Sequence, residues 1–437
     1  MLRRSIRLPH AIAMVAGTII GASIFVQPSE VTGRMPSLGG AAAVWLTAGL
    51  LTLLGSLVVA ELASTFPKSG GVYVFLREAY SPLVGFLWGW AMLWIMHSGI
   101  IAVIAVIFAR YLGYFVPLGP LASRLVAVAA IVVLSVVNYV GVESGSRLQT
   151  ALTAIKVAAI ALMIGLGFAL FSGEAPRPLP AAGLEGGSPR DFLLALAAAL
   201  FAFGGWHMVT YNAEETVDPR RTIPRALLWG ILIVTVSYVG LNAVYFHVLP
   251  IEQVIASDRI AADAADAVVG FGGGAVMSAL VVVSTFGALT GIILSGPRVY
   301  YAMARDGLLF RRFARLHPRF QTPSDAIVLQ GAWSAILVLT ETYRALFMRV
   351  IYTEWLFFAA LALAIFPLRR RSELRRGFSL WGYPVTPVLF AASALAIVIN
   401  QLVSDPAESL IGLSFLGAGV PVFFLWNRWR ASRQEAP

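Results

Sequence analysis

The sequence predicts an all-α polytopic membrane protein of 12 transmembrane helices, and composition, apolar stretches and arginine placement each point there. Of its 437 residues, 59% are hydrophobic and only 12% are charged. Soluble domains carry roughly a quarter charged residues, so a water-exposed surface of ordinary polarity cannot be built from this chain. Apolar runs of about 20 residues, the length that crosses a bilayer, recur from end to end.

The expected spans are 8–33, 39–66, 83–115, 122–140, 149–171, 190–216, 223–249, 271–303, 323–340, 344–368, 383–404 and 407–427. Several exceed the bilayer thickness, as tilted or bent helices do. The basic start Leu2–Arg7 resembles a signal peptide's, but no small-residue cleavage site follows its apolar stretch, so a retained first helix is expected. Pro67–Pro82, charged and carrying paired glycines, is expected to form a short interfacial helix.

Lys and Arg outnumber Asp and Glu by 32 to 22. Topology accounts for the excess without nucleic acid. Arg3, Arg4, Arg7, Lys68, Arg77, Arg147, Arg220, Arg221, Arg225, Arg298, Arg305 and the arginines of 311–319, 369–376 and 428–433 fall on the N-terminal side. The opposite loops hold Arg34, Arg110, Arg124, Arg177, Arg190, Arg259, Arg344 and Arg349. The positive-inside rule then places both termini in the cytoplasm, in the cell inner membrane. Cysteine is absent, which excludes disulfides and thiolate chemistry.

Two spans contain weak points. Gly17–Ser23 (GTIIGAS) clusters small and β-branched residues in the first, and Phe201–His207 (FAFGGWH) sets two adjacent glycines among aromatics in the sixth. Glycine costs about 1 kcal/mol relative to alanine inside a helix, so each invites an interruption. Gly17 lies about nine residues into its span, roughly 14 Å, and Gly204 about ten residues from Glu214, roughly 15 Å. Both depths are near the middle of a core about 30 Å thick. Spans one and six hold matching places in two five-helix halves, and an odd number of crossings makes those halves inverted. Matching interruptions in inverted halves mark a carrier's binding site; the plainer reading is that Gly17 and Gly21 only let helices approach. Unwound turns expose N–H and C=O groups that a polar substrate satisfies. Amides opening the second half of span one suit a carboxylate. Carbonyls ending the first half of span six suit an ammonium group. An α-amino acid carries both on one carbon.

Lys156 lies about nine residues into span five, roughly 14 Å deep. An ionisable residue there is a functional candidate. It either braces the unwound carbonyls of span one as a fixed charge, where other transporters bind sodium, or exchanges a proton. His207 either lines the pocket, titrating near neutral pH, or packs structurally. Tyr238, Ser284 and Thr285 offer hydroxyls to the site; His97 and Asn138 receive no role.

Several separated segments resemble one family. Gly17–Phe25 (GTIIGASIF) resembles the G-[ST]-I-I-G-[SA]-G-I-F signature of the amino acid–polyamine–organocation superfamily. Phe201–Trp206 with Asn212–Glu215 resembles the pattern of its L-type amino acid transporter branch, as do Pro67–Tyr80, Asn138–Val142 leading to Lys156, and Arg298–Leu308. The resemblance implies the leucine-transporter (LeuT) fold, two inverted five-helix repeats (1–171 and 190–368) plus two further helices (383–427), working by alternating access. It implies that the backbone of Ile19, Ile20, Gly21, Ala22 and Ser23 holds the substrate carboxylate. Phe201, Ala202 and Gly204 would hold the amino group, with Phe201 as lid and Trp206, His207, Tyr238 and Ser284 nearby. Lys156, beside Gly17, would replace a sodium ion. Ser23 stands where the family usually has glycine, and His207 where asparagine or aspartate is common. The cysteine that bonds an accessory glycoprotein in eukaryotic members is missing, so no obligatory protein partner is expected.

The resulting expectation is a sodium-independent secondary carrier of small neutral L-amino acids in the lipid bilayer, an exchanger or a proton-linked permease, without cofactor. An amine or polyamine antiporter would need carboxylates facing the pocket, and none is apparent near either break. A membrane amino acid sensor or channel would need an output domain or a polar pore. An enzyme would need a metal or nucleophile cluster, which five scattered histidines do not provide. No Walker-type glycine-rich lysine motif is present to couple ATP.

Overall fold

The computed structural model describes residues 4, 6–68, 70–140, 146–171, 187–270, 272–320 and 322–434, with backbone alone at 146–152 and 429–434. Arg3, Ser69, Gly141, Val142 and Arg177 lie outside the described residues, as do the side chains of Arg147, Arg430 and Arg433.

The chain is a bundle of helices. α1 (Leu8–Ile19) stops at an unwound turn, passes through a 3-10 turn at Ser23–Phe25 and resumes as α2 (Gln27–Arg34). α3 (Leu38–Thr65) crosses back, and α4 (Val72–Ala79) is the short helix expected within Pro67–Pro82. α5 (Pro82–Ala91) runs through a π turn, Met92–Met96, into α6 (His97–Leu112). α7 (Pro120–Val140), α8 (Ser146–Leu170) and α9 (Pro189–Ala202) follow, and α9 leads through a turn into a 3-10 helix, Trp206–Glu215. α10 (Pro219–Val248), α11 (Ile251–Ala256), α12 (Ile260–Val269), α13 (Gly273–Arg305), α14 (Ser324–Thr340), α15 (Tyr343–Arg369), α16 (Val385–Ser404) and α17 (Pro406–Gln434) complete the order.

Ten of these stretches are long and apolar enough to cross a membrane among the described residues, and α1 and α14 are shorter apolar helices. The protein is thus polytopic and helical. Residues 250–270, expected to be a loop, fold into α11 and α12. Six and ten residues are too few to span, so neither helix leaves a span-length apolar run in the sequence; α12 nevertheless buries Ile260, Ala261, Ala264 and Val268.

Local chemistry sets the helix ends. Ser188 caps α9 by accepting from the Asp191 amide while the Asp191 carboxylate accepts from the Ser188 amide, a capping box. Thr342 caps α15 in the same sense through the Ala345 amide, 3.2 Å away. Pro297 inside α13 cannot donate to Ile293 O. Gln330 of α14 donates to that carbonyl instead at 3.4 Å, and His97 of α6 and Ser295 meet Ile292 O at 3.1 Å each. These bonds lock α6, α13 and α14 around one proline.

Two further ties frame the broken helices. The Ile6 amide donates to Glu215 O at 3.1 Å and the Val217 amide to Ile6 O at 2.9 Å, joining the entry of α1 to the exit of the 3-10 helix. Glu61 is 2% exposed near the end of α3. It takes both Arg369 Nε (2.8 Å) and Nη2 (2.6 Å), plus the Leu380 amide (2.8 Å).

Candidate functional site

The two interruptions face each other across one cavity. α1 remains helical through Gly17 and Thr18, so its break is narrower than the expected 17–23 and lies at Ile20–Ala22. Gly17 stays in the helix because α8 packs on it: a Cβ there would sit 2.1 Å from Thr153 Oγ1, whose hydroxyl donates to Ala13 O at 3.2 Å. Close approach, not unwinding, explains that glycine. α9 ends at Ala202, and Gly205 turns the chain with φ +88. A Cβ on Gly205 would lie 2.7 Å from Thr18 Cγ2, so the turn after α9 packs on the last turn of α1.

Beyond the turn the sixth span continues as 3-10, not α, with a non-helical residue at Asn212. A 3-10 helix rises about 2.0 Å per residue, so the ten residues from Gly204 to Glu214 cover roughly 20 Å rather than 15. Thr210 Oγ1 to His207 O (2.7 Å) and Arg298 Nη1 to Asn212 Oδ1 (2.7 Å) brace this segment.

The break in α1 leaves donors over. Among the described residues, the amides of Ala22, Ser23 and Ile24 have no hydrogen-bond acceptor. The break after α9 leaves acceptors over: the Phe203 and Gly204 carbonyls receive no hydrogen bond. Buried backbone groups are nearly always paired, so such clusters need a ligand or water.

Ile19, Gly21, Ala22, Ser23, Phe201, Ala202 and Gly204 line the cavity, as expected for a shared pocket. Thr18, Gly205, Met208, Ile100, Ile104, Ile292, Val350 and Glu354 line it too. Its volume of 30 Å³ holds about two waters. An amino acid enters only if this cavity widens.

Five residues expected at the substrate lie outside that lining. Ile20 turns away, and its carbonyl accepts from Lys156 Nζ at 3.3 Å. Tyr238, fully buried, places its hydroxyl 2.9 Å from Ile19 O and 3.0 Å from Ala202 O, holding both helix ends at once. Trp206 packs on Phe358, 5.1 Å between rings. Ser284 sits about 12 Å along α13 from Ile292 of the cavity, buried with its hydroxyl unpartnered. His207 is 1% exposed behind the cavity, with Nε2 3.1 Å from Tyr211 Oη and 3.8 Å from Glu354 Oε1.

Lys156 is 6% exposed on α8 and, among the described residues, its Nζ donates to the Ile20 carbonyl at the end of α1. Phe201 packs on Phe347 at 5.6 Å. Glu354 is the unexpected member of the site: a carboxylate does face the pocket, contrary to the expectation that none does. A glutamate inside an apolar span was the available signal, but it stands on the tenth span, far in sequence from either break.

The profile of the amino acid permease family matches residues 6–420. This chain belongs to that family. It is 32% identical to a serine/threonine exchanger of Bacillus subtilis over 99% of this chain and 98% of the relative. It is 33% identical to the human Asc-type amino acid transporter 1 over 98% of this chain and 83% of the relative. The human cystine/glutamate transporter is 30% identical, over 98% and 86%. This permease therefore stands among the amino acid transporters of the amino acid–polyamine–organocation superfamily, and these relatives are carriers rather than enzymes.

Proposed function

We propose that this permease carries small neutral L-amino acids across the cell inner membrane by alternating access, as an exchanger or a proton-linked permease, without sodium, and with both termini cytoplasmic. One observation carries the reading. Among the described residues, Ala22 and Ser23, whose amides have no acceptor, and Gly204, whose carbonyl has no donor, line a single cavity. A zwitterion satisfies both sets, carboxylate to amides and ammonium to carbonyls. The surrounding Ile100, Ile104, Met208, Ile292 and Val350 favour a short apolar or hydroxylated side chain. Lys156 fits the role of a fixed cation at the Ile20 carbonyl. The order of broken helices supports two inverted repeats, 1–171 and 190–368, followed by 383–427. The absence of cysteine supports a carrier that needs no disulfide-linked partner.

A second reading has one observation in its favour. Glu354 in the lining is the carboxylate that a carrier of amines or cationic amino acids requires. Uptake of labelled L-alanine, L-serine, lysine and putrescine into liposomes preloaded with each, with and without sodium, separates the two. The proposal expects alanine and serine to exchange equally with or without sodium. Sodium-dependent uptake removes the role given to Lys156, and putrescine transport without alanine transport replaces the substrate class.

A further inference from the structure

Glu354 is buried within α15, 4% exposed, at a cavity whose other side chains are apolar apart from Thr18 and Ser23. Among the described residues its carboxylate makes no hydrogen bond, and the titratable side chain beside it is His207, with Nε2 3.8 Å from Oε1. An ionised carboxylate so placed costs several kcal/mol unless a cation or proton compensates it. The same Nε2 lies 3.1 Å from the Tyr211 hydroxyl, one turn along the 3-10 helix toward the exposed Glu214. Glu354, His207 and Tyr211, all three buried, therefore stand in a row that starts at the cavity and runs along the 3-10 helix.

We propose that Glu354 binds a proton that moves with the substrate, and that His207 delivers it. His207 Nε2 accepts one proton, holds it as imidazolium and releases it to a Glu354 oxygen. The ring returns neutral, and the carboxylate has gained one proton and lost its charge. The other titratable groups nearby are held elsewhere. His97 of α6 bonds to Ile292 O and Ser295 of α13. The Tyr300 hydroxyl of α13 is buried without a partner. Lys156 sits at Ile20 O on α8. This places proton coupling at Glu354 rather than at Lys156. It rests on the amino acid carrier reading and adds the coupling ion.

The test uses the full-length protein in liposomes with an entrapped pH indicator, scoring labelled L-alanine, L-serine and proton movement together. Wild-type protein is expected to acidify the lumen as substrate enters, with uptake rising as external pH falls. E354Q is expected to reduce proton movement to the level of protein-free liposomes and to flatten the pH profile, whatever uptake remains. E354D, which keeps a carboxylate, is expected to restore proton movement and guards against a folding defect in E354Q. Wild-type uptake without proton movement overturns the inference while leaving the carrier reading intact. So does an E354Q that raises KM at an unchanged number of protons per substrate, which makes Glu354 an ammonium-binding group. Absence of any amino acid uptake by the wild type overturns the carrier reading itself.

Discussion

One phenol holds the two helix ends in register. Tyr238 offers a single hydroxyl to Ile19 O and Ala202 O, the last carbonyls of two helices that share no sequence neighbourhood. Tyr238→Phe keeps the ring packing on Trp45 and Phe203 and leaves a buried carbonyl unpaired, a loss of about 1–3 kcal/mol. Thermal unfolding in detergent is expected to fall accordingly, with slower exchange. Gly205 is constrained twice, by φ +88 and by Thr18 Cγ2, which lies 2.7 Å from where a Cβ would sit. Gly205→Ala is expected to cost about 1–2 kcal/mol from the left-handed backbone alone, more with the contact, read as lowered thermal stability and uptake. The glycines were legible in the sequence, but not which of them does what. Gly17 and Gly205 look alike as letters; one admits Thr153 of α8, and the other turns the chain. Tyr238 was legible as a buried hydroxyl, but its two acceptors come from tertiary packing that no local pattern encodes. Glu354 was hidden because its neighbours Trp355–Phe358 make the span read as uniformly apolar.

Helices were legible where length and hydropathy agree. α3, α7, α10, α13 and α15 lie within a few residues of the expected spans, because burying a backbone in lipid leaves helix as the sole open option. α4 was legible from its charges, and it anchors there: Tyr73 Oη donates to Asp306 at 2.6 Å, and Arg77 pairs with the same carboxylate. Burial, reinforced by that hydrogen bond, holds the Tyr73 phenol well above its usual range. Illegible elements were those whose geometry depends on partners. The 3-10 character of Trp206–Glu215 follows from Tyr211, Asn212 and Ile6 contacts, and its residues carry no 3-10 signature. The clamp at the end of α15 is similar, since Glu61 and Arg369 are remote in sequence. Arg369→Met strands the Glu61 carboxylate, 2% exposed, with one backbone amide for a partner. A broken buried pair costs about 3–5 kcal/mol, so this variant is expected to show the largest stability loss of the three, while Glu61→Gln with Arg369→Met recovers part of it.

At the scale of the molecule, α1 and the 3-10 helix are in direct contact at two places. They are joined at Ile6–Val217 and meet at Thr18–Gly205, while Tyr238 ties the end of α1 to the end of α9. The cavity between them is too small for an amino acid as it stands, so transport requires this pair to shift against α6, α13 and α15, which carry Ile100, Ile292 and Glu354. The central claim is that the breaks recognise the two charges of one α-carbon. Competition against labelled L-alanine binding by alanine, alanine methyl ester and propionate tests it most directly. Alanine alone is expected to compete, because the ester lacks the anion for the Ala22 and Ser23 amides and propionate lacks the cation for the Gly204 carbonyl. Equal competition by the ester or by propionate would contradict a zwitterion site.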